Sequence, residues 1–202
     1  MAIQTNAEEI RALFPELEQI EDLALRDGVV DIWLDLAAET AWERFEDIPK
    51  NLKDEKHMTL IGHVQGVTQM ALAMADIAKR LHGIQVDRDL LIASCILHDI
   101  SKPLESAPDP GGPPTGTSVP PGKITEFGEK IQHAVYGAHK IWEKQLPKAT
   151  ELAHLVITHT RTSNTRSGSY EAALLFYADW VDSDAGIVLG GGTPLASKWV
   201  EE

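Results

Sequence analysis

Residues 87–101 read DRDLLIASCILHDIS, and Leu90, Leu91, Ile92, Ala93, Cys95, Ile96 and Leu97 leave no polar face if the segment is helical. A helix that is apolar all round has to be enclosed by other helices. This one stretch therefore asks for a bundle built around it, and the rest of the chain offers the pieces. Ile10, Leu13, Phe14, Leu17 and Ile20 recur at helical spacing and predict an amphipathic helix over residues 6–21, with Thr5 and Glu8 as its capping box. Val29, Trp33, Leu36, Ala37 and Ala41 predict a second over 29–45, capped by Asp27 and stopped by Pro49 and the charged run 50–56. Val67, Met70, Ala71, Met74, Ala78 and Leu81 predict a third over 59–81, ended by Gly83. Further helices are expected at 125–145, 150–160 and 170–181. No run of short alternating strands is found, so the expected fold class is all-α.

Residues 103–122 hold seven of the eleven prolines, and such a composition predicts a long surface loop that forms no packed element. Pro103 also disfavours helical geometry at Lys102, so the chain should turn there. The expected organisation is an N-terminal helical extension, 1–56, packed on a main domain, 57–185, followed by a C-terminal tail, 186–202.

The chain has 202 residues and a formal charge of -13. That charge disfavours a nucleic-acid polymer or an anionic lipid surface as partner, because both need a basic face. The single cysteine, Cys95, lies in an apolar run and reads as a small core residue, which fits a reducing compartment. With neither an apolar leader nor a run of roughly 20 apolar residues, the expectation is a cytoplasmic protein with no membrane association; a homodimer is compatible with it.

His98 and Asp99 close the most apolar helix, where charged groups are costly unless paired or bound to metal. A lone His-Asp dipeptide is close to what chance supplies in a chain with 8 His. What matters is the company it keeps. His63 sits in the first turn of the 59–81 helix, His133 in KIQHAVYGAHKIW, His159 at the end of LAHLVITHT, and Asp179 in ALLFYADWVD. Imidazoles and carboxylates from separate helices of a bundle can converge on divalent metal, and this donor set suits iron, manganese, zinc and related ions. Asp182 and Asp184 are alternatives to Asp179. His139 and His154 are expected on other faces, and His57 and His82 at the surface. Trp33, Trp42, Trp142 and Trp180 read as core packing, with Trp180 adjoining the site.

The ordered set of His63, His98-Asp99, His133, His159 and Asp179 resembles the HD-domain superfamily of metal-dependent phosphohydrolases over residues 57–184. The resemblance implies a helical HD domain with an N-terminal helical extension. It also implies His63, His98, Asp99 and Asp179 on one divalent metal, and His133 and His159 on a second, with Asp99 bridging. Two ions per chain are expected, iron ahead of manganese, zinc, cobalt, nickel and magnesium, sharing a water made nucleophilic toward phosphorus. The segments HDISK and HAVYGAH look like those of bacterial HD enzymes that split diadenosine tetraphosphate symmetrically. The loop 103–122, the N-terminal helices and HTRTSNTRSGS differ from them, so the substrate stays open. Lys102, three residues past Asp99, and Arg161 and Arg166 after His159 would hold an anionic, phosphorylated small substrate. Asp99 and Lys102 are the expected catalytic residues. Two other readings use the same ligands: a mixed-valence di-iron oxygenase acting on a small alcohol or phosphonate, and a non-catalytic sensor.

Overall fold

A computed structural model describes residues 2–53, 57–160 and 168–200. Its helices are α1 (Ala7–Leu13), α2 (Leu23–Glu39), α3 (Leu60–His82), α4 (Arg88–Leu97), α5 (Lys102–Glu105), α6 (Glu126–Lys130), α7 (Val135–Glu143), α8 (Ala149–Thr158) and α9 (Tyr170–Leu189). Two three-residue strands, β1 (Ser106–Pro108) and β2 (Gly122–Ile124), pair antiparallel with Ser106 opposite Ile124. The all-α expectation holds apart from that ribbon.

Helix α4 is the axis. Every residue from Leu91 to Leu97 is buried, and α4 packs against α2, α3, α8 and α9, as a helix without a polar face requires. Its start is fixed by Asp87, whose carboxylate accepts from Leu90 N at 3.1 Å. Helix α3 is set by Thr59, which accepts from Gly62 N. It ends at Gly83, where a left-handed φ of 70° lets Ile84 N reach back to Ala78 O.

Several local expectations are corrected. The N-terminal capping box is Asn6 with Glu9, one residue later than Thr5 and Glu8. Pro15 then converts the predicted continuation into a 3-10 segment, Pro15–Gln19. Helix α2 starts at Leu23 under an Asp22 cap instead of near Val29 under Asp27, and it stops at Thr40. Helix α9 runs eight residues past Val181, through Gly186 to Leu189.

The proline-rich segment is not a bare loop. Pro103 occupies the first turn of α5, where its missing N–H costs nothing. The β1–β2 ribbon closes the remainder, and Val119 is buried. Trp42, buried in the N-terminal part, donates its indole N–H to Ser106 O at 3.0 Å, and Thr40 donates to Pro103 O at 2.8 Å. Trp33 donates to Ile96 O at 3.3 Å. The N-terminal helices and α4 share one apolar core running from Ile3 to Ala178, so the first 48 residues brace the end of α4 that carries His98 and Asp99. Trp142, expected in the core, is 50% exposed. No helix among the described residues is long and apolar enough to cross a membrane.

Candidate metal centre

Six side chains from five parts of the fold meet at one end of the bundle. His63 comes from the first turn of α3, His98 and Asp99 from the turn that ends α4, His133 from the break before α7, His159 from the end of α8, and Asp179 from the middle of α9. Helix ends supply His98 and His159 because there the chain leaves the ladder and a side chain can swing inward. His133 is not within a helix, as residues 125–145 had suggested. The segment breaks at Ile131, and buried Ala134 adopts a left-handed φ of 73°, a conformation that costs an alanine roughly 1 kcal/mol. That break separates His133 from the face of α7.

The distances define two clusters sharing one carboxylate. His63 Nε2 lies 3.1 Å from His98 Nε2, 3.1 Å from Asp179 Oδ1 and 3.5 Å from Asp99 Oδ2. His98 Nε2 is 3.8 Å from Asp99 Oδ2 and 3.9 Å from Asp179 Oδ1. On the other side, Asp99 Oδ1 lies 2.5 Å from His133 Nε2 and 3.6 Å from His159 Nε2. His63, His98 and Asp99 form one group of donor atoms within 4.8 Å of each other, and Asp99, His133 and His159 form another.

Each imidazole is held through its far nitrogen. His98 Nδ1 donates to Cys95 O at 2.6 Å and His159 Nδ1 to Val156 O at 2.5 Å; carbonyls only accept, so the proton is on Nδ1. His63 Nδ1 meets Asp182 Oδ2 at 2.7 Å, and His133 Nδ1 meets Glu105 Oε1 at 2.6 Å. Four Nε2 atoms therefore face inward, an orientation that metal-binding histidines characteristically receive from such partners. His63 Nε2 and His98 Nε2, 3.1 Å apart, call for a proton or a metal ion between them, since two lone pairs at that distance repel.

The electrostatics agree. Burial pushes His98 down to about 3, which keeps it neutral. Burial also disfavours charge on His63 and His133, yet the carboxylates at Asp179 and Asp182, and at Asp99 and Glu105, carry both above the ordinary imidazole value. A proton is drawn to the positions where a cation would otherwise sit. Asp99, although buried, is held well below the usual carboxylate range by Lys102, His133 and Lys50, and Asp179 is lowered by His63 and Lys50. Glu105 is lowered to about 2, its burial outweighed by the hydrogen bond from His133. Asp99 Oδ2 is buried with no hydrogen-bond partner among the described residues, a costly state for an anionic oxygen that a metal ion would relieve. The donor set and this orphaned oxygen both fit divalent metal.

The opening above the donors is a cavity of about 340 Å³ bordered by Lys50, Lys102, Trp180 and Leu195. Lys102, expected to face an anion, does line it. Arg161 and Arg166 lie outside the described residues. Lys50 was missed by the sequence reading, which took it as the start of a charged run. Its backbone N–H donates to Met58 O at 2.9 Å, and its buried Nζ donates to Ser183 Oγ at 3.0 Å and stands 3.9 Å from Asp99 Oδ2. Glu105 was missed because it sits in the segment read as loop.

Asp182 is not a substitute for Asp179 but the partner of His63. Three-residue spacing puts both on one side of α9, and Gly66, one turn after His63, is the other trace: a Cβ there would stand 2.2 Å from Asp182 Oδ1. Asp184 is elsewhere, its carboxylate accepting from Leu195 N at 2.5 Å.

Comparison with known proteins bears on this geometry. The HD domain family matches residues 60–184. Over 126 residues the chain is 31% identical to a dihydroneopterin 2',3'-cyclic phosphate phosphodiesterase of Methanocaldococcus jannaschii; the match covers 61% of this chain and 46% of the relative, so the chain spans about half the length of that protein. No solved structure gives a significant match. With the family matching well over half of its length, and with the ordered histidines and aspartates gathered at one end of the bundle, this chain belongs to the HD domain family.

Proposed function

We propose that the protein is a metal-dependent phosphohydrolase acting on a phosphate ester of a small metabolite, with cyclic phosphodiesters the first class to test. The observation that carries this reading is Asp99: one buried carboxylate with its two oxygens turned toward two imidazole clusters, beneath a cavity whose rim holds two lysines. His63, His98, Asp99 and Asp179 would hold one divalent ion, and His133 and His159 a second across Asp99. When bound, such ions supply Lewis acidity and bring the pKa of a water toward neutrality.

The chain's own part is to hold the ester in place. Lys102 and Lys50 line the cavity, where their ammonium groups would meet phosphoryl oxygens, and Arg161 and Arg166 remain proposed anion contacts. Trp180 and Leu195 supply apolar wall. Asp99, kept anionic, orients the reacting centre, and the partners Asp182 and Glu105 keep His63 and His133 from turning. The relative is named for action on a cyclic phosphodiester, which suits a site offering cations.

The test is turnover of adenosine 2',3'-cyclic phosphate and a phosphomonoester panel by protein reconstituted with iron or manganese, with an Asp99→Asn variant alongside. Metal-dependent product in the wild type and none in the variant is expected. Protein that binds metal stoichiometrically yet cleaves no phosphoester would contradict the reading.

A further inference from the structure

A second, larger cavity of about 620 Å³ adjoins the first and shares Lys50 and Lys102 with it. Lys53 and Lys123 also line it, so four of the chain's eleven lysines surround one groove in a protein of charge -13. They come from three separate segments: residues 49–53, α5 and β2. A lysine on an exposed ribbon such as β2 often serves only to block edge pairing, but that role does not explain why lysines from three unrelated segments line the same groove. Glu105 is the one acid among the described lining residues; its Oε1 is engaged by Ser101 Oγ at 2.5 Å and His133 Nδ1 at 2.6 Å, and its Oε2 lies 3.4 Å from Lys102 Nζ. Glu105 offsets Lys102 and Asp99 stands 3.9 Å from Lys50, whereas the described lining offers no further carboxylate to Lys53 and Lys123, and an anion resting there would offset their charge. Leu52 and Ile124 give the groove an apolar side, which suits the body of an organic molecule.

We propose that this groove is an annex of the metal site that takes a second anionic group, a phosphate or carboxylate, borne on the part of the substrate remote from the reacting phosphorus. Lys53 and Lys123 are its specificity-determining residues, while Lys50 and Lys102 face both cavities. The proposal rests on the phosphohydrolase reading for the identity of the reacting group, but the groove's preference for an extra anion can be measured by binding alone.

The experiment compares adenosine 2',3'-cyclic phosphate with the same compound carrying a 5'-phosphate, by calorimetric titration and by turnover, in the wild type, in Lys53→Gln/Lys123→Gln and in Lys79→Gln, a charge control on the exposed side of α3. Two partly exposed ammonium contacts should favour the 5'-phosphorylated compound by about tenfold. The expected result is that preference in the wild type and in the Lys79 variant, falling to about one in the double variant. Equal affinity for both compounds in the wild type, or a preference that survives in the double variant, overturns the groove assignment while turnover of either compound leaves the hydrolase reading intact. A lysine-dependent preference in binding with no turnover has the opposite meaning: the groove stands and the hydrolase reading falls. Failure of both compounds to bind overturns both.

Discussion

The two halves of the metal centre are built differently. The deep half takes His63 and Asp179 from the two long helices α3 and α9 and His98 from the end of α4, the enclosed central helix, and both its imidazoles are fully buried. The rim half is mixed: His159 ends a helix and is buried, but His133 sits on a turn beside a left-handed alanine, half-buried, and is fixed by Glu105 from a four-residue helix. A donor locked by tertiary packing on two sides cannot relax, whereas one held through a single short element can. The contrast teaches that the two clusters should differ in affinity and that only Asp99 is indispensable to both.

The largest effect should therefore follow Asp99→Ala. Loss of the shared carboxylate should lower turnover at least about 1,000-fold, with both metal equivalents lost on dialysis, as measured by elemental analysis. The next comparison is His63→Asn against His133→Asn. The deep substitution should weaken metal binding about tenfold more than the rim one, read by competition with a chelator; equal losses would break the distinction between the halves.

Smaller again is Asp182→Asn, which keeps the shape around His63 but removes the charge on its far nitrogen; a loss of about 10- to 100-fold in metal affinity is expected. Gly66→Ala should move the same quantity in the same direction, since its methyl would displace Asp182.

The smallest effect lies away from the centre. Asp35 accepts from Lys144 at 3.0 Å and from Lys140 at 3.2 Å. Burial alone would raise its pKa, but these lysines hold it below the ordinary value. A depressed folded-state pKa stabilises the fold above the unfolded value and ceases to do so as pH falls through the folded one. Asp35→Asn should thus cost about 1 kcal/mol near neutrality, with the difference shrinking below about pH 4 and activity unchanged. Denaturant titrations at the two pH values measure it.

The contrast also explains what could be read in the sequence. The deep half was legible: His63, His98, Asp99 and Asp179 lie on strongly periodic or wholly apolar segments, where an imidazole or carboxylate is conspicuous. Supporting atoms were less so. Asp182 leaves a trace in its three-residue offset from Asp179 and in Gly66, but Glu105 lay in a stretch whose seven prolines hid a short helix, and Lys50 reaches the site through a backbone pairing with residues 58–60 that side-chain patterns do not encode. The break at Ala134 was invisible because alanine ordinarily favours helix.

The measurement that bears most directly on the account is the metal content of the reconstituted wild type, by elemental analysis after removal of loosely bound ions. Two equivalents per chain, falling to about one in His133→Asn and to none in Asp99→Ala, is the result expected from two clusters joined by one carboxylate. A wild type that retains no metal after reconstitution, or an Asp99→Ala variant that retains its full complement, would contradict it.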